Sequence, residues 1–347
     1  MTPEFLYKYR GADLDRQVET LANDQIWMAS PESLNDPFEA TVVVDRDRFE
    51  TFDLLAFATV QELLGISRKT KGAYQQFLEA LDKFIEQVRG WGILSLTQNP
   101  LDELCWAHYA DSHRGFCIEY ASEQLLALDL RSEILLEVLY QERPPVLDPA
   151  ELASVREAEL KSYITSALIA TKSLRWAHEE EWRVVSGTPG LRAHDFRAVT
   201  GLYFGYRMAE EKRRIIMERL KGRGIKYFVV EPIPGHYTLR PEALEDPFAD
   251  APKYRHSAAS IAEGVPTIDE FLRSSGYEGL INEAIEIARW EPYCERVTDA
   301  YVAASRSTPD NPVFYVTCDG PGGLPRNFYV SKQQIEQARR KTRVGVD

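Results

Sequence analysis

The stretch that decides the fold is Leu104-Cys105-Trp106-Ala107-His108-Tyr109-Ala110-Asp111-Ser112-His113-Arg114-Gly115-Phe116-Cys117-Ile118-Glu119-Tyr120. Its first half has the spacing of a helical turn, and the apolar alternation that follows Gly115 predicts a strand. A helix-to-strand junction that gathers aromatic and polar side chains is a common way to build a ligand pocket. We therefore expect this stretch to form one wall of a pocket.

Working outward from this stretch, strands and helices alternate without a regular βαβ pattern. That mixture favours an α+β fold, with a mixed or split antiparallel sheet and flanking helices. Helices are predicted over residues 51–65 and 74–89. A chain of 347 residues is too long for one typical core. We expect a family domain with a ligand cleft over residues 1–235, a linker over 236–265 that is rich in Pro, Gly and Ala, and a small C-terminal α+β domain over 266–347.

Composition restricts the class of protein. The net charge of −13 argues against broad, nonspecific binding of nucleic acid, which depends on Lys and Arg. No apolar run approaches the roughly 18 residues of a membrane helix, and the first residues lack the pattern of a secretory signal. Four Cys without a Cys-x-x-Cys pair indicate reduced thiols. We expect a cytoplasmic protein without a membrane partner.

The same stretch has spacing that resembles a metal site. Zinc binds Cys and His side chains, and the candidate ligands in this stretch are Cys105, His108, His113 and Cys117. Strand alternation places Cys117 opposite its apolar neighbours, and structural zinc sites usually contain a closely spaced Cys pair, which is absent here. No metal is therefore expected. We expect Trp106, His108 and Tyr109 to shape the space for a ligand instead.

A second polar segment runs from Lys172 to Arg183. Glu179 and Glu181 are two residues apart, so on a strand they would share a face. Neighbouring carboxylates repel each other, and each raises the pKa of the other. Such a pair indicates a metal, a basic partner such as Lys172 or Arg183, or catalysis. A plain salt bridge to the nearby Arg is the structural alternative.

A third segment, Asn35-Asp36-Pro37-Phe38-Glu39, contains residues that favour turns. Asn35 or Asp36 could cap the next element or form an Asx turn. Alternatively, Asn35, Asp36 and Glu39 form a polar arm that reaches into a pocket beside the strand of Trp27.

These segments together resemble a bacterial family, domain of unknown function 2971, over residues 5–230. Five motifs occur in the order that the family shows. They are Tyr7-Lys8-Tyr9, Ile26-Trp27-Met28-Ala29-Ser30, Asn35 to Glu39, Trp106 to Tyr120 and Glu179 to Arg183.

A further resemblance, to ADP-ribosyltransferases, implies an activity. In that fold, an aromatic-lined cleft in a split sheet holds NAD, and a late Glu stabilises the ribosyl cation. NAD would then be a substrate, and the protein would suit a role as a toxin or a phage-defence effector. The residues implied are Tyr9 or Arg10, with Tyr7 as a competitor, at the dinucleotide, Ser30 near the nicotinamide ribose, Glu181 as the catalytic acid, and Glu179 for the acceptor.

Two other functions stay open at this point. The domain could be a sensor of a defence system that binds a nucleotide or a protein without catalysis. It could also be a metal-dependent nuclease or hydrolase in which four acids hold Mg²⁺ or Mn²⁺. Those acids are Asp36, Glu39, Glu179 and Glu181. The sequence identifies neither the acceptor, whether protein or nucleic acid, nor the oligomeric state.

Overall fold

The computed structural model describes residues 2–51, 73–268, 270–320, 323 and 325–344. The chain divides into two compact units, Met1–Ala251 and Pro252–Asp347. Apart from residue 51, the helix predicted over 51–65 lies outside the described residues.

The strands of the first unit are β1 (Phe5–Arg10), β2 (Gln25–Met28), β3 (Val43–Val44), β4 (Gly92–Thr97), β5 (Phe116–Ala121), β6 (Ile134–Glu137), β7 (Leu139–Gln141), β8 (Val146–Leu147), β9 (Thr171–Ser173), β10 (Glu181–Ser186), β11 (Gly190–Ala193), β12 (Val199–Gly205), β13 (Lys226–Pro232) and β14 (Leu239–Leu244). Its helices are α1 (Leu14–Ala22), α2 (Arg46–Thr51), α3 (Ala73–Arg89), α4 (Glu103–Tyr109), α5 (Ser122–Leu125), α6 (Pro149–Ser154), α7 (Glu157–Ile169) and α8 (Glu210–Arg219). The helix predicted over 74–89 is confirmed as α3.

Eight strands of the first unit form one sheet in the order β14-β13-β12-β5-β1-β4-β10-β6. Neighbouring strands are antiparallel, except that β12 and β13 are parallel. This arrangement confirms the α+β class with a mixed sheet and flanking helices. β14 belongs to this sheet, although composition predicts a linker over 236–265, because its backbone pairs with β13 despite its exposed, turn-prone residues.

The sheet is split between two of its central strands. β1 pairs with β5 along its whole length, from Phe5 opposite Ala121 to Arg10 opposite Phe116. With β4, in contrast, β1 shares only the register pair Tyr7–Thr97. Away from this pair the two strands diverge, and a gap opens between their backbones.

The turn between α4 and β5 is held close to the sheet by two glycines. Residues 111–113 all have left-handed backbone conformations, with φ of 47°, 51° and 67°. A Cβ on Gly115 would lie 2.0 Å from the carbonyl oxygen of Arg10, and one on Gly205 would lie 2.1 Å from that of His113. Any side chain at these glycines would displace the backbone, so the turn can pack against the sheet in only one position.

Alternation along β10 assigns its side chains to two cores. Trp182 and Val184 enter a core that includes residues of α1 and α8 on one face of the sheet. Val185 enters a second core, which contains Leu160 and Ile164 of α7. Glu181 and Arg183 share the face of Val185 and lie beside this second core.

The second unit has its own sheet, in the order β15 (Ser260–Ile261), β16 (Arg296–Val302), β17 (Val313–Asp319) and β18 (Pro325–Ser331). Its helices are α9 (Glu270–Ser275), α10 (Glu278–Ala288) and α11 (Lys332–Val344). Ile281 and Ile285 of α10 pack with Phe314 of β17 in a separate core.

Two cysteines of the second unit, Cys294 and Cys318, form a disulfide. This differs from the prediction of reduced thiols. The two residues are 24 apart in sequence and meet only when β17 pairs with β16, so spacing alone gives no signal for them. Cys105 and Cys117 are free and buried. None of the helices in the described part of the chain combines the length and apolar character that a membrane span needs.

Candidate ligand-binding cleft

The gap between β1 and β4 opens into a cavity of about 200 Å³. Strands β1, β4 and β10 form its floor, and α4 and the loop after β2 contribute to its walls. Nine of the residues predicted from sequence line it together. They are Tyr7, Tyr9, Asn35, Glu39, Tyr109, Lys172, Glu179, Glu181 and Arg183.

A buried ion-pair network forms one side of the cleft. Arg183 is fully buried, and its Nε and Nη2 donate to the two oxygens of Glu181 at 2.9 and 3.0 Å. Its Nη1 donates to Glu39 and to the carbonyl oxygen of Ile169. Lys172 Nζ, 3.0 Å from Glu181, joins this network to a further carboxylate. A bidentate Arg–carboxylate pair of this kind holds both groups in one orientation.

Electrostatics keep this network ionised. Burial acts to raise the pKa of Glu181, but the charges of Arg183 and Lys172 outweigh it and lower that pKa to about 2. Burial acts to lower the pKa of Lys172, but Glu181 and Glu179 raise it overall. Burial is the stronger influence on Glu39, and it raises the pKa of that carboxyl in spite of Arg183. Glu181 is thus a fixed negative charge at the edge of the cavity.

Glu179 and Glu181 both contact the same cation, Lys172. The sequence pattern predicts that one face of a strand brings them together, and this is not how they meet. β10 begins at Glu181, whereas Glu179 ends the 3-10 segment Leu174–Glu179. Between them, Glu180 is exposed and has a left-handed φ of 43°. Lys172 Nζ lies 2.5 Å from Glu179 and 3.0 Å from Glu181, so the basic partner explains why the two acids are tolerated together.

Aromatic side chains form the opposite wall. Tyr109 of α4 donates its hydroxyl to Glu179 at 2.5 Å, and Tyr9 of β1 donates to the carbonyl oxygen of Asn99 at 2.8 Å. Trp106 is fully buried below them, with its ring edge-on to Tyr9 at 5.3 Å. It supports the wall without lining the cleft.

Lys8 and Ser95 are functional candidates that the sequence analysis missed. Lys8 Nζ reaches across the split and donates to the carbonyl oxygen of Ser95 at 2.6 Å. Burial, followed by the charge of Arg10, lowers the pKa of Lys8 to about 7. Both residues line the cavity, together with Thr97. The sequence signal for these candidates was a charged side chain within a strand for Lys8 and a hydroxyl side chain within a strand for Ser95.

Five predicted residues lie outside the lining of the cleft. Ser30 precedes the 3-10 segment Pro31–Ser33, and Ser33 reaches the cavity in its place. Asp36 forms an Asx turn by accepting the N–H of Phe38 at 2.9 Å. His108 is exposed because it lies on the outer side of α4. The others are Arg10 and Trp106.

The metal spacing seen in the sequence does not become a site. His113 stacks on Trp106, with ring centroids 6.1 Å apart, and His108 is exposed. Burial and the nearby Asp102 raise the pKa of the Cys105 thiol, so without a bound metal ion this thiol is protonated at neutral pH. Three of the four acids proposed to hold Mg²⁺ face Lys172 or Arg183, and Asp36 lies outside the cleft lining.

Fold and cleft together describe an α+β protein with a cavity where its sheet is split. The model of the family described as protein of unknown function (DUF2971) matches residues 105–184. That match runs from α4 to β10 and includes Tyr109, Lys172 and Arg183 of the cleft. No curated protein and no solved structure matches the chain.

Proposed function

We propose that the cleft binds NAD and that the protein transfers ADP-ribose from it, in the manner of an ADP-ribosyltransferase. The observation that carries this proposal is the position of Glu181. It is the first residue of β10, and it lines the gap left by the divergence of β1 and β4. Tyr7 and Tyr9 give the same gap the aromatic lining expected for a nicotinamide ring.

Three adjacent strands each supply one polar group to the cavity. Lys8 on β1 provides a cation, Ser95 on β4 a hydroxyl, and Glu181 on β10 a carboxylate. We assign Ser95 the ribose contact expected of Ser30. Tyr9 or Arg10 was expected at the dinucleotide, and we assign the contact with its diphosphate to Lys8. A charged amine and a hydroxyl hydrogen-bond to phosphate and ribose oxygens, respectively.

The proposed reaction breaks the bond between the nicotinamide nitrogen and C1′ of the ribose, and nicotinamide leaves with the electron pair. The fixed negative charge of Glu181 stabilises the positive charge that develops on the ribose. A lone pair on the acceptor then forms the new bond to C1′, and the acceptor gives up its proton. Glu179, held by Tyr109 and Lys172, is the carboxylate placed to orient that acceptor.

The size of the cavity limits which part of NAD it holds. Its volume of about 200 Å³ is below the roughly 300–1,000 Å³ of sites that enclose a drug-sized ligand. The nicotinamide and its ribose fit this space, and the adenosine half would extend out of the cleft.

The test is nicotinamide release from NAD by the full chain, with and without cell lysate as a source of acceptors. Glu181→Gln is expected to lower the rate about 100- to 1,000-fold, the loss typical of removing one electrostatic contact to the transition state. Glu180→Gln is the matched control. It removes the adjacent, exposed carboxylate, and it should leave the rate unchanged.

A second candidate function is a sensor that binds a nucleotide without turnover. The observation that favours it is that both oxygens of Glu181 already accept hydrogen bonds from Lys172 or Arg183. A rise in melting temperature with NAD, without nicotinamide release in any lysate, would favour this function over catalysis. If NAD neither stabilises the protein nor is consumed, the transferase fails. If no other nucleotide raises the melting temperature either, the nucleotide sensor fails as well. Growth arrest on expression, or protection against phage, would separate a toxin from a defence effector.

A further inference from the structure

A group of three metal-binding side chains lies beside the cleft, in a combination that spacing does not reveal. Asp102, Cys105 and His178 each place one ligand atom within 4.8 Å of the other two. Cys105 is buried, and the other two residues are partly buried. The group joins the start of α4 to the 3-10 segment Leu174–Glu179, although 73 residues separate Cys105 from His178 in the chain.

The local fold orients two of these groups. Asp102 is the N-cap of α4, and its Oδ1 accepts the backbone N–H of Cys105 at 2.7 Å. An N-cap side chain bonds to the residue three positions later, so the carboxylate is held over the first helical turn, where Cys105 lies. Carboxylate and thiol therefore come together through an ordinary helix start.

His178 adds an independent observation. Its Nε2 is enclosed and has no hydrogen-bond partner among the described residues. A buried nitrogen left without a partner costs roughly 1–3 kcal/mol. A metal ion bound to this ring would remove that cost, since neutral imidazole is a common metal ligand.

We propose that Asp102, Cys105 and His178 bind a divalent transition metal, with zinc as the best chemical match. Zinc binds thiolate, imidazole and carboxylate at about 2.0–2.3 Å, usually in a tetrahedron. Ligand atoms in such a tetrahedron lie about 3.3–3.7 Å apart, so atoms within 4.8 Å need to move by about 1 Å. Three protein ligands leave the fourth position for water or another small ligand.

The metal would fasten α4 to the segment that ends in Glu179. Tyr109 of α4 already donates to Glu179 at 2.5 Å, so the ion would brace the same junction from its other side. Cys105 also lines the cleft, but this inference does not depend on the proposed function, because metal binding is measured without NAD.

The experiment is a titration of the full chain with Co²⁺ after treatment with a chelator, followed by visible and near-ultraviolet absorption. Wild type should bind one equivalent. It should show the charge-transfer band of a cobalt–thiolate bond, and an equivalent of Zn²⁺ should remove that band. Cys105→Ser should abolish the band, His178→Gln should abolish binding, and Asp102→Asn should weaken affinity by about 10- to 100-fold.

Two control variants distinguish this site from the one suggested by spacing. His108→Gln and Cys117→Ser should bind Co²⁺ like wild type, because neither residue belongs to the converging group. Circular dichroism would show that each variant is folded. The proposal is overturned if wild type gives no thiolate band, if folded Cys105→Ser keeps it, or if folded His108→Gln or Cys117→Ser loses it.

Discussion

The sheets of the two units differ in how completely two neighbouring strands are paired. In the first, β1 and β4 share only the register pair Tyr7–Thr97, and the gap is filled by charged and hydroxyl groups. In the second, β17 and β18 are paired from Val313–Ser331 to Asp319–Pro325. The comparison shows that fully paired strands bring their side chains into contact with one another, whereas strands that diverge leave side chains available to contact a ligand.

The side-chain contacts of the two sheets differ accordingly. The paired sheet has a row of three tyrosines, Tyr301, Tyr315 and Tyr329, with neighbouring ring centroids 4.9 Å apart. Such cross-strand pairs stabilise a sheet directly. The split sheet instead depends on the buried network around Arg183, whose charges must be compensated to be tolerated.

The largest effect should come from removing the central cation of that network. Arg183→Met leaves Glu39 buried without this cation and leaves Glu181 with Lys172 alone, which should lower the free energy of unfolding by about 3–5 kcal/mol. Urea unfolding of the full chain measures this. Arg240→Met is the control, since its exposed pair with Glu242 should contribute at most about 1 kcal/mol. Equal losses in the two variants would mean that the network does not hold the split sheet together.

A smaller effect should appear in the pH dependence of binding. Lys8 has a pKa of about 7, so it is charged below that pH and neutral above it. Affinity for ADP-ribose should therefore fall by roughly tenfold, about 1.4 kcal/mol, as pH rises from about 6 to about 8.5. Lys172 and Arg183 stay charged over this range, because the network raises the pKa of each.

Calorimetric titrations at each pH would measure that affinity. Lys8→Met should bind more weakly at low pH and should show no such decline. A decline of the same size in the variant would assign the titration to another group.

The smallest effect concerns the paired sheet. Tyr315→Leu removes the ring contacts with Tyr301 and Tyr329, which should cost about 0.5–1.5 kcal/mol. Thermal unfolding would show the loss, and nicotinamide release should be unaffected. Tyr237→Leu, at a fully exposed position, should change neither property. Loss of NAD turnover in Tyr315→Leu would contradict the separation of the two sheets by role.

Sequence patterns predicted the elements of the cleft better than its contacts. The α+β class follows from the mixed order of helices and strands, the strand after Gly115 follows from apolar alternation, and both are present. Lys8 escaped prediction because its partner, the Ser95 carbonyl, is 87 residues away and depends on where β1 and β4 diverge. No local pattern encodes that divergence.

The sequence did not predict the group of Asp102, Cys105 and His178, for a related reason. Spacing along the chain grouped Cys105 with His108, whereas tertiary structure brings it to His178. Ser30 was chosen for its position at the end of a strand, but the turn that follows takes Ser33 to the cavity instead. In each case nearby residues in the chain predict the secondary-structure element, whereas the contact depends on the tertiary structure.

The two glycines that position the turn before β5 against the sheet limit how this sequence can vary. Gly115 and Gly205 each lie where a methyl group would overlap a carbonyl oxygen of a different segment. Neither glycine lines the cleft, yet both positions should admit a single amino acid in any pool of functional variants. Mutational tolerance would then be lowest at two residues without chemistry of their own, while lining residues such as Tyr7 could still exchange for other aromatics.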